Sequence, residues 1–306
     1  MKMRSRNLLM VVFALASGFA SFAQSNLLNA KTPDEIGKKT EAQLISDNDK
    51  PLAYGYVHDR DVLMGKTIWE FIDLDERINF PLYFPVDTAN IGKDRRSLFD
   101  VLVKGIKSGE ITEVYADDYF NTKRTLKDMA NSFTYVDTIQ SGLDEINTYY
   151  DDYMSGKRVL DQQFVDRKEL TSQDIFGYKI KGFWYFDNRQ GELKYRLLAL
   201  CPVAPEAREI GSDDPDVIEL FWVYFPAVRD ILHENKAFND RNSAMPITFD
   251  HLLNSRRFNA VIYKEENVYG DRKIEEYMKE NAQMQLLESE RVKSKIRDFE
   301  SDMWNY

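Results

Sequence analysis

Gly65-Lys66-Thr67 invites comparison with a phosphate-binding loop, in which backbone N–H groups and a lysine cradle a nucleotide. That loop needs a second glycine five positions before Gly65, and the residue there is Arg60. The three histidines, His58, His233 and His251, include no pair three or four residues apart, the spacing that brings two imidazoles to one metal on a helix. Cys201 precedes Pro202 and follows an apolar run, which suits burial. A nucleophilic thiolate needs an activating base or a local positive field. Carboxylates cluster at Asp47-Asn48-Asp49, Asp117-Asp118, Asp151-Asp152 and Asp213-Asp214-Pro215-Asp216. None supplies the glycine and remaining ligands of an EF-hand calcium loop, so they read as solvated turns. Two carboxylates of a glycosidase need only meet in space, and nothing in the spacing singles out a pair. No catalytic, metal-ligating or cofactor-binding residue is assigned.

The aromatic residues carry more information. Trp184 and Trp222 lie in β-like runs and read as core or sheet-face residues, with a sugar- or peptide-binding platform as the alternative. Trp304 and Tyr306 end a polar helical segment where no core obviously receives them, and Phe299 and Met303 lie on its apolar stripe as expected contacts with the body or a neighbouring subunit. They are the candidate partner-binding residues, because amphipathic aromatics suit interfaces. The triplet Tyr-Phe-Pro occurs twice, as Tyr83-Phe84-Pro85 and Tyr224-Phe225-Pro226. Each copy is followed by Phe-Asp-x-Leu, at Phe99 and Phe249, and then by an apolar pair ending in tyrosine, at Tyr115 and Tyr263. The order suggests two related halves in which the triplets mark equivalent corners.

These residues need elements to position them. Thr67-Ile68-Trp69-Glu70 has the form of a capping box and predicts a short helix to about Ile78, with Pro81 preventing its continuation. Leu98, Val101, Leu102 and Ile106 recur at helical spacing, and Gly109 closes that helix. Residues 111–115 read as a strand. Tyr178–Phe186 and Leu193–Leu200 are β-prone and joined by a turn over 187–191, a hairpin. Leu220–Phe225 reads as a buried strand, Pro226 opens a helix to about Glu234, Thr248 caps another with Phe249, Leu252 and Leu253 inward, and Ala260–Tyr263 is the following strand. From Asp271 onward there is no glycine or proline, and a narrow apolar stripe predicts one long helix or a kinked pair. The expected class is α+β: a signal peptide over 1–23, an extended arm over 24–55, α+β halves over 56–170 and 171–270 (the second holding the hairpin), and a C-terminal helix over 271–306.

Lys2, Arg4 and Arg6, the apolar run Leu8–Ala16 and the small residues Ser21 and Ala23 have the order of a secretory signal peptide. The run falls short of the ~20 apolar residues that span a bilayer. Residue 24 is glutamine, so the expected mature chain carries no lipid. Removing the leader takes the formal net charge from −10 to −13, a balance that repels phosphate backbones and argues against nucleic-acid binding. A single cysteine allows no internal disulfide, so stability rests on a core, which 43% hydrophobic and 13% aromatic residues can build.

In order along the chain, the unlipidated leader, Thr67-Ile-Trp-Glu-Phe-Ile-Asp73, Lys179-Ile-Lys-Gly-Phe-Trp-Tyr-Phe-Asp187, Ile218-Glu-Leu-Phe-Trp-Val-Tyr-Phe-Pro226 and Asn254-Ser-Arg-Arg-Phe258 resemble the GldN/PorN family of the gliding-motility and type IX secretion machinery. The resemblance implies a non-enzymatic periplasmic scaffold without cofactors. It implies a ring built with an outer-membrane lipoprotein of the GldK/PorK type, self-association within that ring, and contact with a GldL/GldM-type motor. Direct membrane insertion is not expected. Two other classes stay open on the residues alone: an exported hydrolase with a carboxylate-based site, and a periplasmic sugar- or peptide-binding module.

Overall fold

In the computed structural model, residues 50–87, 95–212, 215–238, 247–279 and 281–304 are described, together with Thr32. The expected signal peptide and nearly all of the expected arm lie outside them, as do Asp47-Asn48-Asp49, Asp213, Asp214 and Tyr306. Residues 51–238 with 247–306 form one compact unit; of the other, 1–50 with 239–246, only Thr32 and Lys50 are described.

In chain order the elements are β1 (Val62–Asp73), α1 (Phe80–Tyr83), α2 (Leu98–Ser108), α3 (Leu126–Phe133), β2 (Thr134–Thr138), α4 (Gln140–Thr148), α5 (Tyr150–Met154), β3 (Val165–Glu169), β4 (Gly177–Asp187) and β5 (Glu192–Pro205). There follow β6 (Val217–Glu219), β7 (Val223–Tyr224), α6 (Phe225–Glu234), β8 (Lys236–Ala237), β9 (Ile247–Thr248), α7 (Phe249–Asn254), β10 (Val261–Glu265), α8 (Ile274–Tyr277) and α9 (Ala282–Trp304). The main sheet is antiparallel in the order β10-β1-β4-β5-β6, with β7 also on β5, and the fold is α+β. Residues 56–170 and 171–270 share this sheet, for β1 lies between β4 and β10.

The largest departure from expectation is β1, where the capping box predicts a helix. Ile68, Glu70 and Ile72 alternate with Trp69 and Phe71, and that period of two suits a strand with both faces covered. An uninterrupted register runs from Met64↔Phe186 to Asp73↔Gly177 against β4. That long ladder outweighs the two local hydrogen bonds a capping box offers.

The hairpin β4–β5 forms where expected. Gly182 is required there, because a Cβ would sit 2.1 Å from the Tyr195 hydroxyl. Helix α2 begins at Ser97, whose side chain accepts from the Asp100 N–H, and ends at Gly109 with φ 81°. Pro226 sits in the first turn of α6, and Thr248 caps α7 by accepting from the His251 N–H. Residues 111–115 form no strand; Tyr115 makes isolated bridges, one to Lys123 and one to Trp222 with two 2.8 Å backbone hydrogen bonds. Of the apolar run 220–225, only Val223–Tyr224 enters a ladder.

The two Tyr-Phe-Pro triplets are not equivalent corners. Tyr83 ends α1, and Phe84 is 42% exposed beyond it. Tyr224 precedes α6, and Phe225 is fully buried as its first residue. One triplet closes a helical turn and the other opens one.

Helices α2, α6 and α7 pack Leu98, Leu102, Leu232, Phe249 and Leu253 into the main core with Ile72, Ile180 and Leu200 of the sheet. Trp69, Ala199, Cys201 and Trp222 form a separate cluster, with Tyr115, Phe120 and Tyr263 packed against it. A third cluster joins Ile68 and Ile262 to Ile274, Val292 and Ile296 of the C-terminal segment.

Candidate functional site

Helix α9 lies along the outer edge of the sheet, and its sequence explains why. Strand β10 pairs along its length with β1, while on its other side only a single bridge, Lys264 to Lys273, is made among the described residues, which leaves further backbone groups there without a strand partner. Ser289 Oγ accepts a 2.9 Å hydrogen bond from the Ile262 N–H. Lys293 Nζ donates to the Ala260 carbonyl at 2.9 Å. Val292 and Ile296 fall on the same stripe and close over Ile262 and Ile68. Side chains thus do the work of a further strand. Glu288 anchors the start of the contact by accepting from Tyr277 Oη at 3.2 Å and from Arg291 Nε at 2.6 Å. The Arg291 hydrogen bonds hold the Glu288 carboxyl below the usual range. Burial, with the Glu288 charge beside it, pushes the Tyr277 hydroxyl up to about 12.

Between α9 and the sheet a groove of about 280 Å³ is left open. Ile68, Trp184, Leu193, Ile262 and Ile296 give it an apolar lining. Among its lining residues is a buried ion pair: Arg256 Nη1 and Nη2 donate to Glu70 Oε2 and Oε1 at 2.8 and 2.7 Å. Glu70 is only 1% exposed, in the middle of β1. Tyr195 Oη donates to Glu70 Oε2 at 3.3 Å, and its ring lies 4.1 Å from the Arg256 guanidinium. Arg256 holds φ at 51°, the left-handed region, as the chain turns from α7 toward β10. Lys293, Glu290 and Arg297 of α9 complete the lining.

Next to the hairpin, three arginines hold the segment before β1. Arg229 Nη2 donates to the Leu52 carbonyl at 2.7 Å, Arg196 Nη2 to Gly55 at 3.2 Å and Arg189 Nη2 to Tyr56 at 3.0 Å. The Tyr54 ring lies 4.1 Å from the Arg229 guanidinium and 4.6 Å from that of Arg196, and its hydroxyl donates to Asn254 Oδ1 at 2.8 Å. Asp250 orients Arg229 through bonds of 2.7 and 3.0 Å. The end of the expected arm is therefore a strap bound mainly through its backbone.

The candidate partner residues fall at one end of α9. The Phe299 ring meets Phe186 edge to face with centroids 5.9 Å apart, so this residue is engaged within the chain. Met303 is half-buried and Trp304 is 69% exposed. The helix contacts its own sheet mainly through Ser289, Val292 and Ile296.

The residues weighed for chemistry are spread over the described body. Asp117 accepts from the N–H groups of Tyr119, Asn121 and Thr122, and Asp118 pairs with Lys264 at 2.8 Å. This corrects the reading of that pair as a solvated turn, since long-range packing of the loop on β10 sets its partner. Lys181 and Lys264 lie over the rings of Trp69 and Tyr119, and burial lowers the Lys181 pKa. Asp151 and Asp152 are exposed on α5. His58 accepts from the Arg60 N–H, and His251 is exposed on α7. Cys201 is buried, which pushes its thiol well up. Trp184 lines the groove and Trp222 is in the core, its Nε1 donating to Glu219 Oε2 at 2.9 Å. Glu70, Arg256 and the strap were not singled out by sequence reasoning. The Asn254–Phe258 segment was a visible signal, but Glu70 lies 186 residues away from its partner.

The described residues thus form an α+β body with a helix fastened along its sheet edge and a chain segment held against it by arginines. Residues 57–305 match the family described as gliding motility associated protein GldN, and the chain belongs to that family. It is thus a component of the gliding-motility machinery. No curated protein matches it. Among the described residues, no helix is long and apolar enough to cross a membrane, and no group of three or more His, Cys, Asp or Glu is placed to hold a metal ion.

Proposed function

We propose that this chain is a non-enzymatic scaffold subunit of the gliding-motility and type IX secretion machinery. It works in the periplasm, where it builds a ring-like complex with an outer-membrane lipoprotein of the GldK/PorK type and meets a GldL/GldM-type motor. The observation that carries this reading is the GldN family match over nearly the whole body. The layout supports it. A ring subunit needs two unlike faces, because head-to-tail contacts close only through heterologous surfaces. The strap and the end of α9 are two such faces, built from different segments.

The test is crosslinking and pull-down from gently solubilised envelopes. The expected result is recovery of a lipoprotein in near-equal amount. Recovery of the chain alone, from envelopes in which its abundance is normal, would overturn the scaffold reading.

A further inference from the structure

The groove beneath α9 and the exposed end of the same helix have complementary chemistry. The groove offers an apolar lining that includes Trp184, Leu193 and Ile296. Its charges are mostly spent: Arg256 on Glu70, and Lys293 on Glu290 at 3.0 Å and on a backbone carbonyl. Arg297 is the exception, since among the described residues it donates only to Ser294 Oγ, at 3.2 Å. It is a cation in the lining of a largely apolar slot that makes no ion pair among the described residues.

The last part of α9 has the opposite character. Residues 298–304 hold Asp298, Glu300 and Asp302, no basic residue, and the exposed Trp304. These carboxylates make no ion pair among the described residues. Trp304 follows Arg297 by seven residues on one uninterrupted helix, about 10 Å farther along the axis. A continuous helix cannot fold back, so this tryptophan does not reach the groove of its own chain. At about 280 Å³ the groove lies just below the usual range of small-molecule pockets, about 300–1,000 Å³, and suits one large side chain.

We propose that the groove receives the C-terminal end of α9 from a second copy of this chain. Trp304 enters between Trp184, Leu193 and Ile296, and the neighbour's carboxylates meet Arg297. The contact is heterologous, with a tail given and a groove received by every copy, which is the geometry that propagates into rings. The assignment rests on the scaffold reading and names the surfaces it uses.

The test uses the purified mature chain in sedimentation velocity across a range of concentration and salt. The wild type is expected to form species larger than a dimer, less readily as salt rises. Trp304→Ala and Arg297→Glu are each expected to weaken self-association by about tenfold or more, as loss of a central aromatic or a charge reversal does. Both sites are exposed, and an unchanged thermal transition is expected to separate lost contact from lost fold. Mixing the two variants gives the sharper result. The groove of the Trp304→Ala chain still accepts the tail of the Arg297→Glu chain, so the mixture should stop at a heterodimer. A wild type that stays monomeric throughout overturns the contact. So does unaltered assembly of either variant, or a mixture with no heterodimer. Lipoprotein recovery from envelopes alongside such a result would leave the scaffold reading standing and remove only this contact. Loss of lipoprotein recovery in Trp304→Ala, with self-association intact, would assign the tail to that partner instead.

Discussion

At the scale of single residues, the Glu70–Arg256 pair is the most consequential charge placement. Glu70 is 1% exposed, so loss of Arg256 would leave its carboxylate buried without a counter-charge, whereas the Arg256 side chain keeps about a quarter of its surface open. Arg256→Ala is expected to cost about 3–5 kcal/mol in urea unfolding, the usual penalty for breaking a buried ion pair. A loss below about 1 kcal/mol would show that water already reaches the pair. Cys201 gives a second, independent check. Its thiol is buried and its pKa raised, so a maleimide reagent at neutral pH should label it only after denaturant is added. Rapid labelling of the native chain would mean that the cluster around Trp69 and Trp222 opens readily.

At the scale of elements, α9 is both a lid on the sheet edge and a carrier of contacts, and the two roles divide along its length. Ile296 is 7% exposed and belongs to the cluster with Ile68 and Ile262. A truncation that removes it cuts into the fold. Removing residues 300–306 instead spares Ile296 and Phe299. That variant is expected to keep its thermal transition and to lose assembly. Ser289→Ala leaves the buried Ile262 N–H without an acceptor and is expected to cost about 1–3 kcal/mol. Equal stability of Ser289→Ala and wild type would mean that water replaces the serine.

The same helix responds to acid in a defined direction. Glu288 has a lowered pKa in the folded chain because Arg291 bonds to it, with Tyr277 assisting. A depressed folded pKa contributes stability that is complete above the unfolded glutamate value, about 4.3, and disappears as pH falls through the folded value. Glu288→Gln lacks this component. Wild type should therefore exceed the variant in stability near neutral pH and approach it below about pH 4. A stability difference that stays constant on acidification would rule out Glu288 as the titrating anchor of α9.

At the scale of the whole molecule, the described body is organised around a sheet whose β10 edge is covered by α9, with the segment before β1 held by arginines. The order of residues before Gln24 carries the expectation that the chain is exported and that its mature form begins at or near that glutamine without lipid. Intact mass of the protein recovered from envelopes checks this, and an acyl adduct or a retained leader would refute it. If the leader is removed, the mature chain carries a net charge of −13, so contacts between copies bring like charges together overall. Local complementarity of the kind proposed between residues 298–304 and Arg297 is then needed for association, and high salt should weaken that attraction.

Much of the local structure was legible before any coordinates. Ser97 to Gly109, Pro226 to Glu234, Thr248 to Asn254 and the hairpin around 187–191 are governed by caps, turn residues and periodicity within a few residues of one another. The family, too, shows in the order of short segments. Strand β1 was not legible locally, because Thr67-Ile-Trp-Glu satisfies a helix signal equally well and only the ladder against β4 decides between them. The same holds for the Tyr-Phe-Pro triplets, where identical residues close one helix and open another according to what surrounds them. The sequence by itself determined where α2 ends, where α6 and α7 begin, the hairpin and the charge balance, since these depend on neighbours in the chain. Only the tertiary structure decided that Glu70 meets Arg256, that α9 closes the edge of β10 and that a groove remains beneath it, because those contacts join residues about 30 to 190 positions apart and hydrogen bonds over such distances leave no local pattern.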